Sequence, residues 1–234
     1  MIPLEFYVGT SGWFYPWNEK KTLEWYTANA GLNAIELNAS FYRFPNSKTV
    51  ESWAAEKQSV SWSIKANRSI THVFKFGENA FPLWERFQVL FKPLEPKVDF
   101  FLFQLPPTLT PKSSERIEEF FKKTKLNGRF AFEPRNEEWF SKDYLNWASE
   151  LGLTWVSVDS PDFPRDIFCT NSNVYVRMHG RTSWYSYKYS DEELREVAER
   201  IVDVEPKKAY VFFNNNHAML ENARRMFEIL RQTE

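Results

Sequence analysis

The chain has one cysteine, three histidines and seven glycines in 234 residues. With Cys169 alone no internal disulfide framework forms, and such usage suits a reducing compartment such as the cytoplasm. His72, His179 and His217 are too few for a histidine-rich zinc cluster. The scarce glycines build neither a P-loop nor a dinucleotide fingerprint, and "VGTSGWF" at 8–14 does not fit G-x-G-x-x-G. H-E-x-x-H, paired C-x-x-C and the G-x-S-x-G elbow are missing as well. No apolar run approaches the roughly 18–20 residues that span a bilayer, and "MIPLEFYVGTSGW" lacks the basic and apolar regions of a secretory signal. A net charge of −1 draws the whole molecule to neither nucleic acid nor membrane. These absences leave a soluble cytoplasmic protein with no membrane partner as the expectation.

What is abundant is aromatic: 18% of residues, ten of them Trp. Trp and Tyr combine bulk with a polar edge, so they serve either a core or a pocket wall. Strand-like runs recur at 5–10, 33–38, 60–66, 98–105, 129–134, 153–159, 173–180 and 208–215. Helically spaced apolar positions lie between them, as in "SSERIEEFFKKTKL" and "SDEELREVAERIVDV". Gly31, Gly128 and Gly152 precede strands, where a helix C-cap glycine belongs. Ser190 and Glu193 have the spacing of a capping box. Eight strands alternating with helices predict a single α/β domain, a (β/α)8 barrel of the TIM type. An open doubly wound sheet is the alternative architecture.

Alternate residues of a strand share a face. On "NVYVRMHG" (173–180) that rule puts Tyr175, Arg177 and His179 together, opposite Val174, Val176 and Met178. The same alternation groups Glu36 with Asn38, Ser63 with Lys65, and Glu133 with Arg135. It sets Trp155, Ser157 and Asp159 against Val156 and Val158, and Gln104 ends its own strand. Assigning each polar face to the barrel interior gathers Glu36, Glu133 and Asp159 with Lys65, Arg135, Arg177 and His179 at the C-terminal end. Barrel enzymes keep their sites there, and buried charges need partners.

His179 is then the candidate acid or base, with Glu36, Glu133 and Asp159 as carboxylates beside it. Lys65, Arg135 and Arg177 suit an anionic group, phosphate or carboxylate. Gln104 supplies a neutral hydrogen-bonding edge. A magnesium or manganese ion on Glu36, Glu133, Asp159 and His179 is conceivable. The three cations compete for those carboxylates, so neither a metal nor another cofactor is expected. Aromatic runs at 11–17, 40–45, 137–140 and 183–187 offer stacking faces, with Trp13 and Tyr42 placed to hold the rest of a ligand.

The segments "SGWFYPW", "IELNASFYRFP", "KANRSITH", "FQLPP", "AFEPRNEEWF", "VYVRMHG" and "FFNNN" follow the order of the YecE-like family, domain-of-unknown-function family seventy-two. The chain resembles that family from about residue 7 to residue 223. The resemblance implies a TIM-type barrel and supplies no activity. It adds Asn38, His72 and Asn214 to the candidate ligand-binding positions and includes Tyr42, with Ser11, Phe41, Thr71, Gly180 and Asn215 among the other motif residues. The chain departs from the family pattern at Pro134, Asn136 and Asn216, which weakens any acid–base role at 136 or 216. Three functions fit: a metal-independent enzyme or binding protein for a small anionic molecule, a metal-dependent phosphodiester-processing barrel resembling endonuclease IV, or a non-catalytic scaffold whose inward charges form a structural salt-bridge lattice. The first is preferred. Nucleic acid is the less favoured partner.

Overall fold

Eight parallel strands close on themselves in sequence order, as the alternation predicts. The computed structural model describes residues 4–232. The strands are β1 (Glu5–Thr10), β2 (Ala34–Leu37), β3 (Ser61–Lys65), β4 (Val98–Gln104), β5 (Phe130–Glu133), β6 (Thr154–Asp159), β7 (Asn173–Met178) and β8 (Lys208–Phe213). The helices are α1 (Leu23–Asn29), α2 (Ala39–Tyr42), α3 (Ser47–Ala54), α4 (Ala80–Phe91), α5 (Ser114–Thr124), α6 (Lys142–Leu151), α7 (Asp191–Asp203) and α8 (Met219–Arg231). Among the described residues no helix is long and apolar enough to cross a membrane.

The capping box at Ser190 and Glu193 forms and starts α7. Gly152 is the left-handed C-cap of α6, and Gly31 lies just past α1 with φ +68°. Gly128 does not cap. Lys125 takes the left-handed position after α5, and Gly128 lies within a short 3-10 turn. Gly9 has a different reason to be glycine: a Cβ there would clash with the carbonyl oxygen of Ala34, its partner on β2.

The repeat is irregular at two places. Two helices, α2 and α3, separate β2 from β3, whereas no helix follows β6. Residues 160–172 begin "SPDFPRD", and the two prolines cannot donate backbone hydrogen bonds to a helix interior. This segment lies over β6 as a loop. Its Phe168 N–H donates to Ser157 Oγ at 2.8 Å, and Thr170 Oγ1 accepts the Trp155 N–H at 3.0 Å.

The core has two layers. Between strands and helices, Trp84, Phe87, Phe101, Phe103 and Phe130 are fully buried, with Phe103 stacked on Phe130 at 4.0 Å. Each such ring removes apolar surface worth about 1.5–3 kcal/mol. Inside the barrel, Tyr7 stacks on Tyr210, and Phe100 meets the edges of Tyr210 and Tyr175. This aromatic plug fills the N-terminal half of the barrel. The polar residues lie above it.

Candidate functional site at the barrel mouth

A continuous chain of charge crosses the barrel from β2 to β7. Register sets it: Glu36 pairs with Ser63, Lys65 with Leu102, and Gln104 with Glu133, all on the inner face. Glu36 is buried and accepts Arg177 Nε and Nη2 at 2.9 and 2.6 Å, a bidentate fork. It also accepts Ser11 Oγ (2.6 Å), Tyr175 OH (2.7 Å) and Asn38 Nδ2 (3.1 Å). Arg177 Nη1 reaches on to Glu133 Oε2 at 2.8 Å. Glu133 accepts Gln104 Nε2 at 3.1 Å and Arg135 Nε at 2.6 Å. Arg135 Nη2 meets His179 Nε2 at 3.2 Å.

Protonation states follow. Burial raises the carboxyl of Glu133, but Arg135, Arg177 and Lys65 outweigh it and hold the group at about 2. Burial likewise opposes Glu36, and Arg177 with the hydroxyl donors lowers it overall. Both are carboxylates at neutral pH. His179 is buried beside cations, and both effects push its pKa well below the usual value. An arginine has no lone pair to offer, so His179 Nε2 must be the acceptor and the ring proton sits on Nδ1. That Nδ1 is buried, and the nearby Asn214 backbone favours a proton on the ring.

Lys65 differs from its neighbours. It ends β3, is 8% exposed, and its Nζ lies 4.2 Å from the Phe41 ring centroid. Among the described residues its Nζ has no hydrogen-bond or carboxylate partner. Burial and the nearby Arg177 lower it to about 7, against the opposing pull of Glu133 and Glu36. His72 stands on the same side, edge-on to Phe41 at 5.1 Å, with Nδ1 against Thr71 Oγ1 at 2.8 Å. Burial first and Lys65 second lower His72 to about 4, so it too is neutral.

Asp159 is not in this cluster. On β6 the inward residues are Val156 and Val158, which pair with Tyr175 and Arg177, while Asp159 pairs with the outward Met178. The expectation failed because the loop over β6 needs hydrogen-bond partners that a covering helix would not. Polar residues therefore occupy the outer face of this strand. Asp159 accepts Tyr189 OH at 2.8 Å and Arg181 Nε at 3.3 Å, pinning the segment after β7 to the end of β6. Burial raises its pKa despite these donors. The interior balance therefore becomes three cations against two carboxylates.

The family description "Protein of unknown function DUF72" matches residues 7–234. The chain belongs to the DUF72 family. The UPF0759 protein YunF of Bacillus subtilis (strain 168) is 26% identical, across 96% of this chain and 94% of its own length. A DUF72 protein structure from Thermotoga maritima MSB8 superposes with a TM-score of 0.86 at 27% identity, covering 97% of this chain and 99% of that one. Another from Enterococcus faecalis V583 gives 0.83 at 23% identity and covers 99% of both chains, a likeness of fold. A xylose isomerase-like TIM barrel fused to 4-hydroxyphenylpyruvate dioxygenase gives 0.58 at 14% identity, covering 98% of this chain and 42% of that protein. It shares the fold alone.

In this DUF72 barrel the remaining expected residues divide by position. Asn38, Gln104 and Asn214 are partly exposed at the mouth. Trp13 is packed edge-on against Trp53 and Trp62 outside the barrel. With Tyr42, which is 73% exposed, it lines a cleft of about 240 Å³ that also includes Ser11 and Asn38. Two larger grooves, about 650 and 660 Å³, lie against α7–α8 and α2–α3, and neither reaches Lys65, Arg135 or Arg177. In the run at 137–140 Trp139 is core, buried and donating to the Leu109 carbonyl, while Glu137 and Glu138 are exposed.

Trp184 was not singled out from its aromatic run. It lies 4.6 Å from the Arg135 guanidinium and 5.3 Å from His179, held by Asp162 at 2.6 Å. Its signal in the sequence was only membership of "SWYSY".

Proposed function

We propose that this DUF72 barrel binds a small molecule through a phosphate or carboxylate at its C-terminal mouth, without a metal. One observation carries this reading: Lys65 is a buried cation with no carboxylate of its own. Both interior carboxylates are engaged by Arg177 and Arg135. A purely structural lattice accounts for Glu36, Arg177 and Glu133 but not for the third cation. Lys65 and Arg135 are the anion-binding pair, because Arg135 keeps its Nη1 outside the bonds to Glu133 and His179. Arg177 is a positioning residue. It is 1% exposed and its three nitrogens are all directed at protein acceptors. His179 orients Arg135, and the cleft beside Asn38, Trp13 and Tyr42 receives the rest of the ligand. The metal-dependent phosphodiester-processing alternative needs a cluster of ligands for its ions. Among the described residues no three His, Cys, Asp or Glu side chains are grouped to hold an ion.

Calorimetric titration with phosphate, sulfate and simple carboxylates is the test. At pH 6, where Lys65 carries its proton, the wild type binds at least one of them, and Lys65→Met weakens that binding by about 1.5–3 kcal/mol, the scale of a charged hydrogen bond. Absence of binding by every anion would return the mouth to a structural lattice.

A further inference from the structure

We propose that Lys65 is a nucleophilic amine, forming an imine with a small aldehyde or ketone that carries a carboxylate or phosphate. This rests on the anion-binding reading above and names its substrate class. Lys97 shows how this chain ties down a lysine for structure, on the Ala54 and Glu56 carbonyls; Lys65 has no such oxygen and ends at the face of Phe41, 4.2 Å from the ring centroid, with both neighbouring carboxylates already engaged. The charged groups that act on it are Arg177, Glu133, Glu36 and Arg135, with His72 and His179 both neutral nearby. Cations outnumber the free negative charge around the amine, and burial adds to their effect. The amine therefore loses its proton near neutrality, at about 7. A desolvated lysine next to other cations is the standard physical route to an amine nucleophile.

The surroundings supply the other requirements. Arg135 is placed for the acid group of the substrate, with Nη1 unused by Glu133 or His179. The Phe41 ring touches both Lys65 and His72, so the neutral imidazole lies on the same wall as the reacting nitrogen. The step balances without a co-reactant. The Nζ lone pair forms the C–N bond to the carbonyl carbon. The carbonyl oxygen collects the two amine protons and leaves as water, and the relay is assigned to His72, the neutral imidazole across the Phe41 ring.

The experiment is reductive trapping of the wild type at pH 7.5. Glyoxylate, pyruvate and dihydroxyacetone phosphate are each incubated with cyanoborohydride, and the peptides are mapped by mass spectrometry. The expected result is a reduced adduct on Lys65, about tenfold or more above that on the exposed Lys48 and Lys112. Lactate and glycerol 3-phosphate, which keep the acid group but lack the carbonyl, compete and suppress it. The two oxo acids against the phosphorylated ketone decide which acid group is accepted. Lys65→Arg, checked for an intact melting transition, loses the adduct. If lactate or glycerol 3-phosphate binds by calorimetry while Lys65 is labelled no more than Lys48, the imine is overturned and the anion site stands. If nothing binds and no Lys65 adduct forms, both fail.

Discussion

At the scale of single residues, Arg177 is the pivot of the barrel mouth. One guanidinium spans two carboxylates that would otherwise repel, and its planar fork matches Glu36 in a way an ammonium does not. Removing it leaves Glu36 and Glu133 buried without their shared partner. Breaking one side of a buried pair costs about 3–5 kcal/mol. Arg177→Met is therefore expected to lower unfolding free energy by about that amount in urea denaturation, with Arg177→Lys recovering only part of it. A loss below about 1 kcal/mol would show that the charge chain does not support the barrel. Lys65 differs because no carboxylate is hydrogen-bonded to it, so its removal strands no buried partner.

At the scale of elements, β6 shows how a covering segment dictates the face of a strand. Where helices cover the barrel, outward residues are apolar, as with Phe101, Phe103 and Phe130. Over β6 the cover is a loop: Ser157 on the strand accepts the loop's Phe168 N–H, and the loop's Thr170 hydroxyl accepts the Trp155 N–H of the strand. Ser157→Ala leaves the Phe168 N–H without its acceptor. The expected cost is about 1–3 kcal/mol, the penalty for a buried unpaired donor. Amide hydrogen exchange should localise it, with the Phe168 amide losing protection while strands β2 to β4 keep theirs. Unchanged protection at Phe168 would mean that the loop is held by its Phe163, Ile167 and Phe168 side chains instead.

At the scale of the whole molecule, the unpaired cation gives the stability curve a recognisable slope. Lys65 sits at about 7 in the folded state, below the roughly 10.4 of an unfolded lysine. Between these values the unfolded chain binds a proton that the folded one does not, so stability rises with pH by up to about 1.4 kcal/mol per unit. Below about pH 7 both states are protonated and the slope vanishes. Lys65→Met is expected to be more stable than wild type near pH 6, with the gap closing toward pH 10. Buried tyrosines such as Tyr175, raised well above their usual value, act in the opposite sense at higher pH in both proteins and cancel in the comparison. Parallel curves for the two proteins across pH 6–10, from denaturation at fixed ionic strength, would show that Lys65 titrates normally. The amino-acid order alone determined the eight-strand barrel and most of the inner polar face. Its period-two alternation is a local property, and Glu36, Lys65, Glu133, Arg177 and His179 each stand where that alternation puts them. Three things waited for the tertiary structure: that Asp159 faces outward, that Trp13 packs on Trp53 and Trp62, and that Arg177 is consumed by two carboxylates while Lys65 is left over. Each depends on what lies across space from the residue. Alternation says which side chains share a face; it does not say whether a helix or a loop covers that face, or which of several cations reaches a carboxylate first.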